Sequence, residues 1–173
     1  TVTINTPPDA GTDGTIALCA TSPATTLFNV LGGSPEIGGL WTGPSALSNG
    51  LFDPTIMTTG VYTYTLTGTA PCSSSSAAVP VNVVSEPNAG TPGSMVLCKT
   101  DSPISLFNQL GGTPDPGGTW SGPSMVVSGQ FAPATMNAGV YTYTINVPPP
   151  CVTVYSTVTI DLVTPPNAGT DGS

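Results

Sequence analysis

The sequence has no histidine, only one residue that is either lysine or arginine, and no long apolar run. Because a single cation cannot neutralise a row of phosphates, the composition excludes nucleic acid as a partner. It excludes attraction to anionic lipid headgroups for the same reason. No apolar stretch approaches the ~20 residues that a membrane-spanning helix needs, so we expect no membrane insertion.

Catalysis has few side chains to use. Without histidine or arginine, and with the cysteines expected to be oxidised, no nucleophile–base pair can be assembled. Between the two full repeats the only acids at matching positions are Glu36 and Asp115, which follow a Gly-Gly-x-Pro turn and are expected to be exposed. There is no C-x-x-C pattern and no histidine to complete a zinc site. We therefore expect no enzymatic activity and no bound cofactor.

Charge is scarce altogether. One basic and nine acidic residues give a net charge of −8, whereas roughly a quarter of the residues in a typical globular protein are charged. Threonine and serine must therefore provide most of the polar surface. An uncharged hydroxyl surface tolerates changes of salt and pH, which suits an extracellular or cell-surface location.

What the chain does have is an internal repeat of 79 residues without insertion or deletion. Residues 8–86 and 87–165 share 35 identical positions. The landmark residues of the first copy recur in the second: Cys19 as Cys98, Trp41 as Trp120, Tyr62 as Tyr141, Tyr64 as Tyr143, and Cys72 as Cys151. A fixed period of this size indicates tandem copies of one folding unit.

The repeat predicts the organisation of the chain. Residues 1–7 match the last strand of a preceding repeat, 8–86 and 87–165 are the two repeats, and 166–173 match the start of a following one. We therefore expect a window from a longer array. The joint at residues 86–93 is short and contains proline and glycine, so neighbouring repeats should stand in a nearly fixed relation and form a rod.

Each repeat is predicted to be all-β. Apolar residues alternate with polar ones along residues 61–66 and 79–83, the period of a half-buried strand, and glycine and proline interrupt the pattern every 8–12 residues. We expect about seven short strands, one of them at 15–19 (94–98 in the second repeat) and others around Trp41 and Phe52. Residues 27–31, which are followed by Gly32 and Gly33, fit a single helical turn better than a strand.

Four cysteines allow three disulfide connectivities. We favour Cys19–Cys72 with Cys98–Cys151, because a domain of about 80 residues gains most from closing its own loop, by about 4 kcal/mol in the chain-entropy estimate. The alternative is Cys72–Cys98, which would join one repeat to the next and leave Cys19 and Cys151 for neighbours outside this window.

The order Cys…Trp…Cys in an all-β unit indicates an immunoglobulin-like sandwich. The spacing differs from that of antibody domains, since Trp41 follows the first cysteine by 22 residues and Tyr64 precedes the second by eight. The predicted fold class is all-β: tandem immunoglobulin-like β-sandwich repeats, one disulfide each, joined by short Pro/Gly linkers into a rod.

Five motifs of the second repeat resemble a known family. They are PNAGT at 87–91, LFNQLGGTP at 106–114, GGTW at 117–120, GVYTYT at 139–144 and PC at 150–151. Together they are similar to the tandem immunoglobulin-like repeats of large Bacteroidota surface proteins, which are exported by the type IX secretion system and include gliding-motility-associated adhesins. The resemblance implies an exported, cell-surface or extracellular stalk, and it brings no catalytic residues.

Aromatic residues supply the first candidate site. Trp41 and Trp120 could form a sugar-stacking platform, but one tryptophan per repeat with glycine on both sides favours a core position beside the disulfide. The other aromatic residues expected in the core are Tyr62, Tyr141, Phe28 and Phe107. Of Tyr62 and Tyr64, which share a strand face, we expect one to be buried and one to lie at the sheet edge.

Acidic residues near the joints between repeats supply the second candidate site. Weak calcium binding is conceivable at Asp9, Asp13, Asp161 and Asp171. Calcium needs six to eight oxygen ligands, and the joint around Glu86 offers only one carboxylate. We therefore favour the interpretation that these residues form turns and carry solvated charge.

The leading functional hypothesis is a stalk or filament segment of a surface adhesin that holds a distal tip away from the cell. Its partners would be neighbouring repeats of the same protein, with lateral self-association and surface polysaccharide at the tip as further candidates. Two alternatives stay open. The repeats could bind polysaccharide directly, or residues 1–5 could be donated as a strand to another subunit of a self-assembling filament.

Overall fold

The computed structural model describes residues 4–164, which fall into two compact units. The first runs to Glu86 and also contains Pro149–Cys151, and the second comprises Pro87–Pro148 and continues from Val152. In the described part of the chain no helix is long and apolar enough to cross a membrane. Residues 1–3 of the predicted first flanking segment, residue 165 and the whole of the predicted last segment, 166–173, lie outside the described residues.

Six short strands and one 3₁₀ turn make up the first unit. The strands are β1 (Ile16–Cys19), β2 (Thr25–Thr26), β3 (Leu40–Thr42), β4 (Leu51–Phe52), β5 (Gly60–Leu66) and β6 (Ser75–Val84), and the 3₁₀ turn is Leu27–Val30. The helical turn predicted before Gly32 is thus confirmed. About seven strands were expected, and six are found within the described residues of this unit. The strand expected around Trp41 is β3, and the segment before it is a loop with positive φ angles at Gly33 and Gly38.

The second unit repeats these elements one period later. Its strands are β7 (Gly93–Cys98), β8 (Ile104–Ser105), β9 (Thr119–Ser121), β10 (Gln130–Phe131), β11 (Gly139–Ile145) and β12 (Val154–Val163), with a 3₁₀ turn at Phe107–Gln109.

The strands of each unit form two sheets. In the first unit a four-stranded sheet has the order β1-β6-β5-β3, and β2 pairs with β4 in a second sheet. All pairings are antiparallel except that of β1 with β6, which is parallel. The second unit has the orders β7-β12-β11-β9 and β10-β8. This separation, with the last two strands and the tryptophan strand in one sheet, is that of an immunoglobulin-like sandwich.

The core lies between the two sheets. Tyr62 and Tyr64 project inward from β5 and Val79 projects inward from β6, as the alternating burial of those strands requires. Phe52 of the second sheet meets Tyr62 edge-on, with ring centroids 5.3 Å apart. Phe131 and Tyr141 make the same contact in the second unit. The predicted all-β sandwich is therefore confirmed.

A tyrosine corner marks each unit. The hydroxyl of Tyr62 donates a hydrogen bond to the carbonyl of Thr58 at 2.7 Å, and Tyr141 donates to Asn137 at 2.6 Å. A tyrosine of the penultimate strand that bonds back to the backbone just upstream is a hallmark of immunoglobulin-like sandwiches. The expectation that one tyrosine of this strand lies at the sheet edge was wrong, since Tyr62 and Tyr64 are 0% and 2% exposed.

Candidate functional site

The feature that most distinguishes this chain is its disulfide. Cys19, the last residue of β1, is bonded to Cys151, which lies in the turn between β11 and β12, 132 positions along the chain. The segment Pro149–Cys151 is part of the first compact unit. The predicted pairing of Cys19 with Cys72 and of Cys98 with Cys151 is therefore wrong. The alternative bond between Cys72 and Cys98 is not formed either, because both are thiols in the structure.

The direction of β1 explains why Cys19 is not bonded to Cys72. Since β1 runs parallel to β6, Cys19 lies opposite Val84, the last residue of β6. Cys72 instead precedes Ser75, the first residue of β6. A ten-residue strand is about 30 Å long, whereas the Cα atoms of a disulfide lie within about 7 Å of each other. Cys19 and Cys72 therefore sit at opposite ends of the same strand and cannot be bonded.

An aromatic cluster lies on the β3 side of each unit. In the first unit the rings of Trp41 and Phe28 pack on Tyr64, with centroids at 5.2 and 5.4 Å. In the second unit Trp120 and Phe107 pack on Tyr143 at 5.1 and 5.5 Å. The tryptophans and these phenylalanines are partly buried and pack against the core rather than lying inside it.

The glycines beside each tryptophan make room for this cluster. A Cβ added to Gly39 would stand 2.6 Å from Cζ of Tyr64, and one added to Gly118 would stand 2.6 Å from Cζ of Tyr143. The strand backbone can therefore approach the tyrosine ring only where the side chain is a hydrogen atom. The Gly-Gly-x-Trp motif is explained by this close approach.

The hydroxyl of Tyr64 connects the cluster to the loop before β3. It accepts a hydrogen bond from the backbone N–H of Gly39 at 2.8 Å and donates one to the carbonyl of Glu36 at 2.7 Å. Tyr143 makes the same two bonds with Gly118 and Asp115. The loop is thereby held against the sheet through two of its backbone groups, one N–H and one carbonyl.

We expect Tyr64→Phe to lower the free energy of unfolding by about 1–2 kcal/mol, because two loop groups lose their partner. Chemical denaturation of the purified chain measures this. Tyr155→Phe is the matched control, since Tyr155 is 72% exposed and its hydroxyl makes no hydrogen bond in the described structure, so the change should stay within about 0.5 kcal/mol. Equal effects of the two substitutions would contradict the role given to the Tyr64 hydroxyl.

A groove opens beside each cluster. The groove of the second unit has a volume of about 510 Å³ and is lined by Phe107, Trp120, Val126 and Tyr143 together with Gly117 and Gly118. Its counterpart in the first unit has about 350 Å³, with Phe28, Trp41, Tyr64 and Ile37 among its lining residues. An apolar wall of this kind can stack against the face of a flat ligand ring.

Of the acidic residues considered for calcium, the structure describes Asp9, Asp13 and Asp161, and it does not gather these three into a site. No group of three or more histidine, cysteine or acidic side chains is placed to hold a metal within residues 4–164. Asp9 accepts a hydrogen bond from the N–H of Gly11, and Asp13 accepts one from the N–H of Ala78. Asp161 lies on β12 opposite Val96. Asp171 lies outside the described residues.

One carboxylate has a perturbed pKa. The hydroxyl of Thr55 donates to Asp53 and lowers the pKa of that carboxyl, and the backbone N–H of Thr55 adds to the effect. The corresponding residue of the second repeat is Ala132. Because the group has no counterpart in the second repeat, it stabilises a local turn and is not part of a repeated site.

Comparison with known proteins returned matches only among solved structures. An I-band fragment from titin is 14% identical over 88% of this chain and 64% of that one, with a TM-score of 0.48. The insect immune protein hemolin is 12% identical over 92% and 47%, with a TM-score of 0.47. Murine CEACAM1b is 19% identical over 77% and 72%, with a TM-score of 0.32.

The chain spans less than two thirds of the length of the first two of these proteins. No protein-family model matches the chain, and neither does any curated protein. The immunoglobulin-like assignment therefore rests on the strand order and the tyrosine corners.

Proposed function

We propose that this chain is a structural repeat segment of an extracellular adhesin, a stalk or filament that carries load and does not catalyse. In this proposal it belongs to a large surface protein of the kind found in Bacteroidota, which includes the gliding-motility-associated adhesins. The motifs at 87–91, 106–114 and 139–144 support this origin, and the sandwich fold with its disulfide supports a structural or adhesive module.

The observation that carries the proposal is the bond between Cys19 and Cys151. It joins a cysteine of the first sequence repeat to a cysteine of the second and encloses most of both. A tension applied to the two ends of the chain reaches this covalent bond before it reaches residues 20–150. Such a bond protects the enclosed strands from being pulled apart, which is the property that a stalk under load requires.

Redox chemistry supports the extracellular location. Disulfides persist in oxidising surroundings and are rare in the cytosol. The outward-facing positions of β5 and β11 are largely threonine, and the chain as a whole carries few charges. These properties suit an exposed surface that must stay soluble without relying on charge.

Immunogold electron microscopy on intact cells of the source organism tests the proposal. Antibodies raised against this chain should label filaments outside the cell envelope without permeabilisation. An antibody against a cytosolic protein is the control and should label only permeabilised cells. Label that appears only after permeabilisation would contradict the stalk.

The aromatic grooves favour a second candidate function, the binding of polysaccharide. The partly exposed rings of Trp120 and Phe107 line the larger groove, where the pyranose rings of a neutral glycan could stack. If a sugar ring gains as much as an aromatic pair does, about 0.5–1.5 kcal/mol, each stacking contact corresponds to a two- to tenfold change in Kd.

We expect neutral oligosaccharides to change the tryptophan fluorescence of the chain. Trp120→Ala should raise the Kd measured by isothermal titration calorimetry two- to tenfold, and Trp41→Ala serves as the matched comparison for the smaller groove. Circular dichroism of both variants checks that they are folded. Unchanged fluorescence at millimolar sugar would exclude the grooves as glycan sites.

The strand-donation alternative concerns residues 1–5, of which residues 1–3 lie outside the described part. The side-chain amide of Asn5 donates a hydrogen bond to the carbonyl of Ala70. The backbone carbonyl of Asn5 lies 3.4 Å from the sulfur of Cys72. The mass of the native protein under denaturing conditions tests this alternative, because a subunit polymer would fall apart to a mass near that of this chain.

A further inference from the structure

We infer that Cys72 and Cys98 are halves of two further disulfides, each of which joins this chain to a neighbouring repeat of the same polypeptide. Cys98 would bond to the second cysteine of the repeat after residue 165. Cys72 would bond to the first cysteine of the repeat before residue 8. The inference rests on the proposed function, in which these repeats are consecutive parts of one array.

The pairing rule comes from the observed bond. Cys19 is the first cysteine of its repeat, and Cys151 is the second cysteine of the next repeat, 132 positions later. The same pairing can be made by every repeat of an array with a period of 79 residues, because the first cysteine of each repeat can bond to the second cysteine of the repeat that follows. Under that rule Cys98 and Cys72 have partners only beyond residues 1–173.

The bond forms at one recognisable place in the fold, the end of the last strand. The carbonyl of Val84 accepts a hydrogen bond from the N–H of Ala20 at 2.8 Å, which fixes the backbone just after Cys19. The same carbonyl lies 3.6 Å from the sulfur of Cys151. The end of β6 at Val84 is therefore the place where the first cysteine of one repeat lies beside the second cysteine of the next.

Cys98 lies at the equivalent place one repeat later, at the end of β12. The N–H of Lys99 donates to the carbonyl of Val163 at 3.1 Å, and Val163 is the residue one period after Val84. The N–H of Cys98 donates to the carboxylate of Asp101 at 2.8 Å, as the N–H of Cys19 donates to the hydroxyl of Ser22 at 3.1 Å. The backbone around Cys98 is thus arranged as it is around Cys19, with only the second cysteine missing.

Cys72 lies at the equivalent place one repeat earlier. Its sulfur lies 3.4 Å from the carbonyl of Asn5, the residue one period before Val84. Cys151 has the same relation to Val84, as described above. Cys72 therefore occupies the place of a second cysteine, with only the first cysteine missing. Both Cys72 and Cys98 are partly exposed thiols in this structure.

The chemistry balances through disulfide exchange. Two thiols form one S–S bond and give up two protons and two electrons, and a small-molecule disulfide accepts them and becomes two thiols. The oxidant is a glutathione-type disulfide.

The test adds one repeat to the full chain. A second copy of residues 87–165 is placed directly after residue 165, so that the chain has six cysteines, and it is refolded with oxidised and reduced glutathione. Remaining thiols are alkylated in denaturant, and disulfide-linked peptic peptides are identified by mass spectrometry at acid pH. We expect two disulfides, Cys19–Cys151 and Cys98 to the second cysteine of the added repeat, and two alkylated thiols.

The bond Cys19–Cys151 is the internal control, because its presence shows that the longer chain has folded. Cys98→Ser should remove the new disulfide and keep the old one. If Cys98 is alkylated while Cys19–Cys151 is intact, or is bonded within its own repeat or to Cys72, the inference is overturned. Covalent dimers of the longer chain through Cys98 would overturn its assignment to one polypeptide. Surface labelling of cells is independent of these results, so the stalk proposal can fail or survive separately.

Discussion

Pulling the oxidised chain by its two ends should extend only the residues outside the loop closed by Cys19 and Cys151. The loop spans 132 positions, so it hides about 460 Å of extended chain. The residues outside it can supply only about 140 Å at the same rise per residue. In single-molecule force spectroscopy, addition of reductant should therefore lengthen the fully stretched chain by about 460 Å.

Two variants separate this disulfide from any general effect of the reductant. Cys19→Ser should give the long extension without reductant, while Cys72→Ser should behave as the unaltered chain. Stretched lengths that are the same with and without reductant would show that the bond does not carry the load. The effect is large because the covalent path bypasses whole strands rather than strengthening their hydrogen bonds.

An array with a disulfide from every repeat to the next would be limited in the same way. The covalent route through such an array follows the polypeptide from the second cysteine of one repeat to the first cysteine of the next, as from Cys72 to Cys98. It then crosses the disulfide of that first cysteine and continues from the cysteine at the other end of the bond. That route uses 26 of the 158 residues in every two repeats. The stretched length of such an array would therefore be limited to about 90 Å per two repeats, even if every strand were unfolded.

Removal of the disulfide should also destabilise the fold. The chain-entropy estimate for a loop of 132 positions is roughly 5 kcal/mol. Cys19→Ser should therefore lower the Tm by about 10–20 °C for a chain of this length. Differential scanning calorimetry at fixed protein concentration measures this shift.

Cys98→Ser is the matched control for that experiment. Cys98 holds the equivalent position one repeat later and is a thiol in this structure, so its replacement should move the Tm by no more than a few degrees. Comparable losses in the two variants would mean that the cost comes from replacing a partly buried sulfur and not from opening the loop.

Much of the local structure follows from the residue pattern. Alternation along residues 61–66 predicts β5, and the observed inward positions of Tyr62, Tyr64 and Leu66 follow that alternation. The glycine pair after Leu31 predicts the end of the 3₁₀ turn. These features depend on neighbours in the sequence, so a single chain is enough to read them.

The aromatic cluster could be predicted only in part. The sequence indicates that Trp41 belongs with the core, yet the side chain is partly buried and faces a groove. The expectation that Tyr64 or Tyr62 lies at a sheet edge failed, because Trp41 and Phe28 cover the outer tyrosine. Which residue covers another depends on how β3 pairs with β5, and the residue pattern of one strand does not contain that information.

The sequence by itself determined the 79-residue repeat, the β class and the places of the turns, because periodicity and turn-forming residues are local properties. Only the tertiary structure decided which cysteines are bonded. The 79-residue repetition is equally compatible with disulfides inside each repeat and with disulfides between repeats. The parallel pairing of β1 with β6 places Cys19 beside Val84 and a strand's length from Cys72. The partner was therefore selected by strand direction, a property of contacts between residues far apart in the chain.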